Sequence, residues 1–350
     1  MEEYIAFDSH KRYTWVEREQ VTTGKVQQFR VEHAPGAIRE ALAGCPRGTP
    51  VAIEATANWY WITDEIEQAR CVPRLVHPRK AKLMMGLINK TDRLDTHGMN
   101  TLQRNGTLPT VWIPPGPLRE LRELTRTRVV LVAQRTRWKN RITATLAKWG
   151  LPASEYSDPY GKSARKELDG RLEQLPEQTR WATRQMLTQL DTLGEQIRQF
   201  EKRLEELVDL TPEMQWLLTL PGVGLILAAT IALEIGDVGR FATAGRLASY
   251  AGTTPRVHSS GDRTRYGRTR PDVNRYLKWA FAEAGNSVAV NHRSHPERHV
   301  SQLYFRLRQH KGHSKAVGAV ARHLAEAAFY VLSRQEAYRD PLADRVGPRV

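Results

Sequence analysis

The chain has 350 residues, 40% of them hydrophobic and 26% charged, which is enough for at least two domains with real cores. Lys and Arg number 53 against 38 Asp and Glu; the net charge of +15 favours a polyanionic partner, most often nucleic acid, over an unrelated basic enzyme. The two cysteines, Cys45 and Cys71, make neither a metal-type cluster nor a disulfide framework and fit a reducing compartment, the cytoplasm.

Met1–Glu2–Glu3 opens acidic, without a signal-peptide pattern, and runs straight into a strand. Tyr4 to Phe7 form a short apolar run ending in Asp8, Tyr13 to Val16 resume aromatic and β-branched content, and "KVQQFRVEH" alternates as a third strand. Pro35–Gly36 opens a helix over "AIREALAGC". Val51 to Ile53 is a fourth strand with Glu54 at its end, and Asn58 caps a helix through "WYWITDEIEQA". "VPRLVHP" is a fifth strand, followed by helices through "KAKLMMGLI" and "DRLDTHGMNTLQ". Three strands at hairpin spacing and then strand–helix alternation predict a mixed α/β sheet flanked by helices.

From Pro117 to about Gly150 the chain is helical, basic and amphipathic. A loop with Pro152, Pro159 and Gly161 precedes a second long helix, about Glu177 to Val208. Met186, Leu190, Leu193, Ile197, Phe200, Leu204 and Leu207 recur on it at helical spacing, a seam for intrachain packing or for a coiled coil between subunits. Thr211–Pro212 starts a mostly helical third region: helix, Gly-rich turn, helix through "LLTLPGVGLILAATIALEIGDVGRF", then a polar basic loop, "RVHSSGDRTRYGRTR", entering an aromatic-bearing helix. A last helix spans about Ser314 to Ser333, ahead of a polar tail. The longest apolar run, Gly224 to Gly236, is shorter than the ~20 residues of a membrane span and contains Glu234, so it reads as a buried helix and no membrane partner is expected.

Asp92 and Asp95 lie three positions apart, on one helix face. One reading is a solvated face neutralised by Lys90 and Arg93. The other gathers Asp8 and Glu54, at the ends of neighbouring strands, with this helix into one carboxylate cluster. Such a cluster repels itself unless a hard divalent cation sits within it, and two ions about 4 Å apart suit phosphodiester chemistry.

"IAFDSHK", "AIEATANW", "NKTDRLDT", "LPGVG" and "RFATAGRLASYAGTTPRVHSSG" together resemble the DEDD transposases of the insertion-sequence one-ten family, the bridge-RNA-guided recombinases. The resemblance covers nearly the whole chain in order. It implies a RuvC-like catalytic domain of ribonuclease H fold (1–114), a helical coiled-coil region (115–210) and a C-terminal transposase domain (211–335), with 336–350 as a mobile tail. It further implies Asp8, Glu54, Asp92 and Asp95 as ligands of Mg²⁺, two ions by the chemistry above, and Ser260 as the nucleophile, with Ser259 beside it as the alternative. Donor and target double-stranded DNA, a structured guide RNA and further copies of the chain, as a dimer or tetramer, are the implied partners at the nucleoid. Ala57 stands where the family often has glycine, and Thr253 replaces a usual leucine.

Arg263, Arg265, Arg268 and Arg270 follow the serines and read either as phosphate ligands or as an ordinary basic loop on DNA. Gly222 and Gly224 read as a helix start whose N–H groups bind phosphate, in the manner of a helix-hairpin-helix, or as a plain tight turn. Trp59 and Tyr60 read as core aromatics more than base stackers, His97 as a surface histidine more than a group behind the ligands, and His10–Lys11 with the Arg/Lys-rich helix from Arg119 to Lys148 either as RNA-backbone contacts or as a solvated amphipathic face. A hydrolytic RuvC-like nuclease or junction resolvase, with Ser260 structural, and a non-enzymatic RNA- or DNA-binding protein are the competing functions.

Overall fold

The computed structural model describes residues 3–86, 91–151, 154–209, 211–261 and 263–342. Lys90, Pro152 and residues 343–350 of the expected tail lie outside them. The chain divides into two compact units, Met1–Gly116 and Pro117–Val350.

The first unit is built on a five-stranded mixed sheet, as the strand pattern predicts. Its strands are β1 (Glu3–Ser9), β2 (Tyr13–Gln20), β3 (Val26–Glu32), β4 (Pro50–Glu54) and β5 (Val72–Val76), in the order β3-β2-β1-β4-β5. β1 and β2 form an antiparallel hairpin extended by β3, whereas β1–β4 and β4–β5 are parallel. Four helices cover the sheet: α1 (Ala37–Ala41), α2 (Trp59–Gln68), α3 (Pro78–Met85) and α4 (Asp92–Arg104).

Alternation along the central strands sorts the sheet into two faces. Ile5, Phe7, Val51 and Ile53 point to one side, where they pack with Ile38 of α1 and Ile62 and Ile66 of α2. Each of these fully buried side chains contributes about 1.5–3 kcal/mol. The opposite side presents the small residues Ala6 and Ala52 to Ala81 of α3 and Met99 and Leu102 of α4. Small side chains let α4 lie close to the strands. Polar contacts fix its direction: Gln103 near its end donates to the Ile5 carbonyl (3.1 Å), and Asn100 donates to Glu17 Oε1 (3.0 Å). The start of α4 is therefore held at the end of β1 where Asp8 lies. Buried Glu17 also accepts from Gln28, so this carboxylate belongs to the helix–sheet seam.

Asn58 stands at the N-cap of α2, but its side chain does not cap the helix. Its amide instead donates to the His10 carbonyl (2.8 Å) and ties the loop after β4 to the β1–β2 turn.

The second unit is helical apart from one ribbon. α5 (Gly116–Lys148) and α7 (Glu177–Asp209) run antiparallel: Ile142 and Leu146 near the end of α5 meet Leu187 and Leu190 near the start of α7, while Leu121 and Leu124 cluster with Leu204 and Val208. The apolar seam of α7 is thus covered within the chain over these turns. A short helix, α6 (Arg165–Glu173), lies in what reads as loop in the sequence and adds Leu168 and Leu172 to the same cluster.

Beyond them come α8 (Pro212–Leu218), α9 (Leu225–Ile235), α10 (Ala244–Tyr250), α11 (Arg275–Asn291), α12 (His299–Lys311) and α13 (His313–Arg334), sharing one core around Phe281, Leu277, Ile231 and Leu324. The segment expected as a polar basic loop is an antiparallel ribbon, β6 (Pro255–Ser260) and β7 (Arg263–Thr269). After α13, the Tyr338 N–H donates to Thr219 Oγ1 (2.7 Å) and Asp340 accepts from the His299 N–H (3.1 Å). No helix among the described residues is long and apolar enough to cross a membrane.

Candidate active site

Parallel pairing sets Phe7 opposite Ile53, so Asp8 and Glu54 are the next residues of adjacent strands and extend past the apolar core on the face covered by α4. Thr91, extended at the N-cap of α4, accepts from the Leu94 N–H (3.3 Å) and starts the helix one residue before Asp92. Asp92 and Asp95 thereby fall in the first helical turn, where the helix dipole also favours negative charge.

The structure brings three of these neighbours tightly together: Asp8, Asp92 and His10 each offer one ligand atom, and the three atoms lie within 4.8 Å of one another. His10 Nε2 stands 3.3 Å from Asp8 Oδ2 and 3.2 Å from Asp92 Oδ2. These are ion-pair distances for a protonated imidazole, although Nε2 makes no well-aligned hydrogen bond to either carboxylate. The Asp8 side chain is 12% exposed, that of Asp92 36% and that of His10 38%, so the group is rooted in the sheet and open on one side. A hairpin turn, closed by the His10 N–H on the Tyr13 carbonyl (2.9 Å), folds His10 back over Asp8. Tyr13 donates its hydroxyl to Asp92 Oδ2 (3.1 Å); its ring lies tilted against the His10 ring (4.6 Å) and under the Arg30 guanidinium (3.8 Å). Desolvation first, then the hydrogen bond to Asp92, push the Tyr13 phenol above its ordinary value, which keeps it a donor.

Glu54 and Asp95 are half-buried and stand outside this tight group. Exposed His97 turns away from the acid pair: its Nδ1 lies 3.3 Å from Glu17 Oε1. Trp59 packs against the α1–α2 side of the sheet with Tyr60 edge-on at 4.3 Å. In the sequence reading Tyr13 carries no site role, and His10 appears as a candidate RNA-backbone contact rather than as a neighbour of the acids. The available signal is the offset of two from Asp8 in "DSHK", just past a strand end, where a turn must reverse the chain.

Two carboxylates and an imidazole converging without mutual hydrogen bonds form a donor set that suits a divalent cation. Oxygen ligands favour Mg²⁺ or Mn²⁺, while an imidazole in the set broadens the choice toward later transition-metal ions. Asp8 and Asp92 fit as ligands; Glu54 and Asp95 lie on the same face and the same helix turn as candidates for completing the set.

Ser260 belongs to the second unit, at the tip of the β6–β7 ribbon before Gly261, which takes a positive φ of 57° at the turn. Residues opposite one another in an antiparallel pair share a face. Ser260 pairs with Arg263 and His258 with Arg265, whereas Ser259 pairs with Thr264 and Val257 with Tyr266. The two serines therefore face opposite sides, and Ser260 has the basic one. Arg270 is held in an ion pair by Asp272 (2.5 Å), whose hydrogen bonds raise the guanidinium pKa further.

Gly222 takes φ 77°, and a Cβ there would lie 2.4 Å from the Ala284 carbonyl, so it is required where α8 and α9 turn against α11. Gly224 is the exposed N-cap of α9 and meets no such wall.

Two sequence families match this chain. Residues 5–149 match the IS110-type DEDD transposase family, described as a transposase, and residues 214–301 match the transposase IS116/IS110/IS902 family. A probable family 20 transposase of Pseudomonas aeruginosa is 26% identical over 300 residues, covering 83% of this chain and 85% of that protein. The transposase for insertion sequence element IS1111A of Coxiella burnetii is 23% identical over 252 residues, 72% of this chain and 69% of the relative. A pilin gene-inverting protein of Moraxella lacunata is 38% identical over 72 residues, 19% of this chain and 22% of the relative. With both family segments present in order around the acid group and the serine ribbon, the chain belongs to the IS110/IS116 family of DEDD transposases, enzymes that cut and rejoin DNA.

Proposed function

We propose that this transposase cuts and rejoins donor and target DNA through a phosphoserine intermediate, with Mg²⁺ held by Asp8 and Asp92 and completed by Glu54 and Asp95. The observation that carries the reading is the convergence of Asp8 and Asp92, from a strand end and a helix start 84 positions apart in sequence, on one group. The sheet order β3-β2-β1-β4-β5, with the first three strands antiparallel and the last pairings parallel, supports a RuvC-like, ribonuclease H type of fold for the first unit. The α8–turn–α9 segment supports a helix-hairpin-helix role for Gly224 in phosphate binding.

A bound divalent ion supplies charge neutralisation at the phosphate and activation of the attacking oxygen. The protein's own groups do the rest. Asp8 and Asp92 orient the ion, and Tyr13 holds the Asp92 carboxylate in place. Ser260 Oγ bonds to phosphorus as the bond from phosphorus to O3′ breaks; the hydroxyl proton leaves Oγ and one arrives on O3′. Arg263 and Arg265, on the same ribbon face as Ser260, offset charge on the phosphate oxygens. The phosphoserine keeps the phosphodiester energy, so strands rejoin by the reverse attack without ATP.

The acidic group of one subunit and the serine ribbon of another act on one phosphate in this account, which makes the working species an oligomer. The excess of positive charge suits both DNA and a structured guide RNA, whose base pairing selects the site. The name of the gene-inverting relative supports recombination rather than hydrolysis. A DNA substrate nicked near the cut site tests the reading: it traps a covalent protein–DNA adduct that Ser260→Ala abolishes. Free 5′-phosphate ends without an adduct contradict it and favour a hydrolytic nuclease.

A further inference from the structure

The ribbon that carries Ser260 has a second face to which the cutting chemistry assigns no task. Register places Val257, Ser259, Thr264 and Tyr266 on it, up to the irregularity in the pairing between Val257 and Pro255. Tyr266 is 73% exposed and its cross-strand partner Val257 57% exposed, while the Ser259 and Thr264 hydroxyls lie 3.4 Å apart beyond them. The opposite face gathers Arg256, His258, Arg263 and Arg265 around Ser260, and the His258 ring lies over Gly267, within 3.7 Å of where a Cβ would be. Charge and apolar surface are thus sorted onto opposite sides of an element only two strands thick.

Single exposed apolar residues are ordinary. Here an aromatic and a β-branched residue are directly opposed, on the segment that bears the reactive serine, where neither is covered in the free protein. The base of the ribbon, by contrast, is fastened. Gly252 takes φ 69° with Val273 against it, Asn274 donates to Glu234 Oε2 (2.8 Å), and Lys278 donates to Thr269 Oγ1 (2.7 Å). A rigid base and a bare tip describe a wedge.

We infer that the Val257–Tyr266 face is a base-contact surface: as Ser260 and its arginines hold the phosphate, Tyr266 stacks on a DNA base at the step opened beside the cut. Charge complementarity commits the ribbon to a polyanion, since five of its described residues are arginines or histidine on exposed positions of the two strands. An aromatic inserted at a base step is the usual way for a protein to hold unstacked DNA. The inference rests on the serine reading above, but its test measures binding and is separate from adduct formation.

The test uses the full chain carrying Ser260→Ala, with its copurifying nucleic acid, and two synthetic DNA duplexes: one intact, one with a short single-stranded gap containing 2-aminopurine. The unsubstituted ribbon face binds the gapped duplex more tightly and quenches the fluorescence. Tyr266→Ala reduces that preference on the order of tenfold, the effect of losing one stacked base, and Tyr266→Phe keeps it. Arg265→Ala lowers affinity for both duplexes together and flattens the salt dependence. Equal preference in wild-type and Tyr266→Ala ribbons overturns the inference. So does an equal loss on both duplexes, or the same Tyr266 dependence on a gapped RNA duplex. Adduct formation that survives Ser260→Ala sinks the serine reading and leaves these binding outcomes to be judged on their own.

Discussion

Two regions of this chain bury carboxylates and treat them in opposite ways. In the second unit Glu234, wholly buried on α9, receives Arg126 through both oxygens (2.6 and 2.9 Å) and the Asn274 amide (2.8 Å). Arg122 donates to the Leu233 and Glu234 carbonyls nearby, and its desolvated guanidinium has a lowered pKa. Charge there is matched by charge, and the group joins α5, α9 and the N-cap of α11. In the first unit Asp8 and Asp92 converge on each other and on His10, whose Nε2 lies within ion-pair distance of both without a well-aligned hydrogen bond. A matched buried carboxylate does architectural work; two like charges gathered at a half-open site cost stability and mark a place for a cation.

That contrast can be broken by substitution, beginning with the largest effect. Asp8→Asn or Asp92→Asn lowers DNA cutting about a thousandfold, the scale of removing a principal electrostatic element of a phosphoryl site, while leaving thermal unfolding unchanged or raised. Cleavage assays and melting curves on the same preparations check both halves. Glu234→Ala does the reverse to stability: it strands Arg126 and costs about 3–5 kcal/mol in denaturant unfolding of the second unit.

Smaller changes sharpen the comparison. Gly222→Ala forces a side chain against the Ala284 carbonyl at positive φ and destabilises the α8–α11 region by about 1–3 kcal/mol, read in the same unfolding experiment. Thr91→Ala removes the cap of α4 and costs about 1 kcal/mol. Amide exchange at the first turn of α4 then rises while the sheet stays protected, and cation affinity falls with it.

Much of the first unit is legible in the sequence because its strands are apolar runs with polar stops. Asp8 and Glu54 can be placed at strand ends from "IAFD" and "VAIE" alone, and the parallel register then makes them neighbours. The pair Asp92 and Asp95 reads as one helix face from its three-residue spacing, and the structure adds the Thr91 cap directly before it. His10 and Tyr13 do not read this way. Their role comes from a turn that folds the hairpin end over the site, and no periodicity encodes it.

The β6–β7 ribbon escapes a sequence reading for a different reason. Its residues face solvent on both sides, so "RVHSSG" and "RTRYGRT" lack the apolar alternation that announces a half-buried strand. α6 is similarly faint: apart from Leu168 and Leu172, "RKELDGRLE" is polar, and its position depends on the α5–α7 groove it fills.

The most direct test of the central claim is calorimetric titration of Mg²⁺ or Mn²⁺ into the chain, compared with Asp8→Asn, Asp92→Asn and Arg165→Ala, the last removing an exposed ion pair with Asp191 remote from the acids in sequence. The account predicts saturable binding that either aspartate substitution abolishes and the arginine substitution leaves intact. Equal binding by wild type and Asp8→Asn contradicts it.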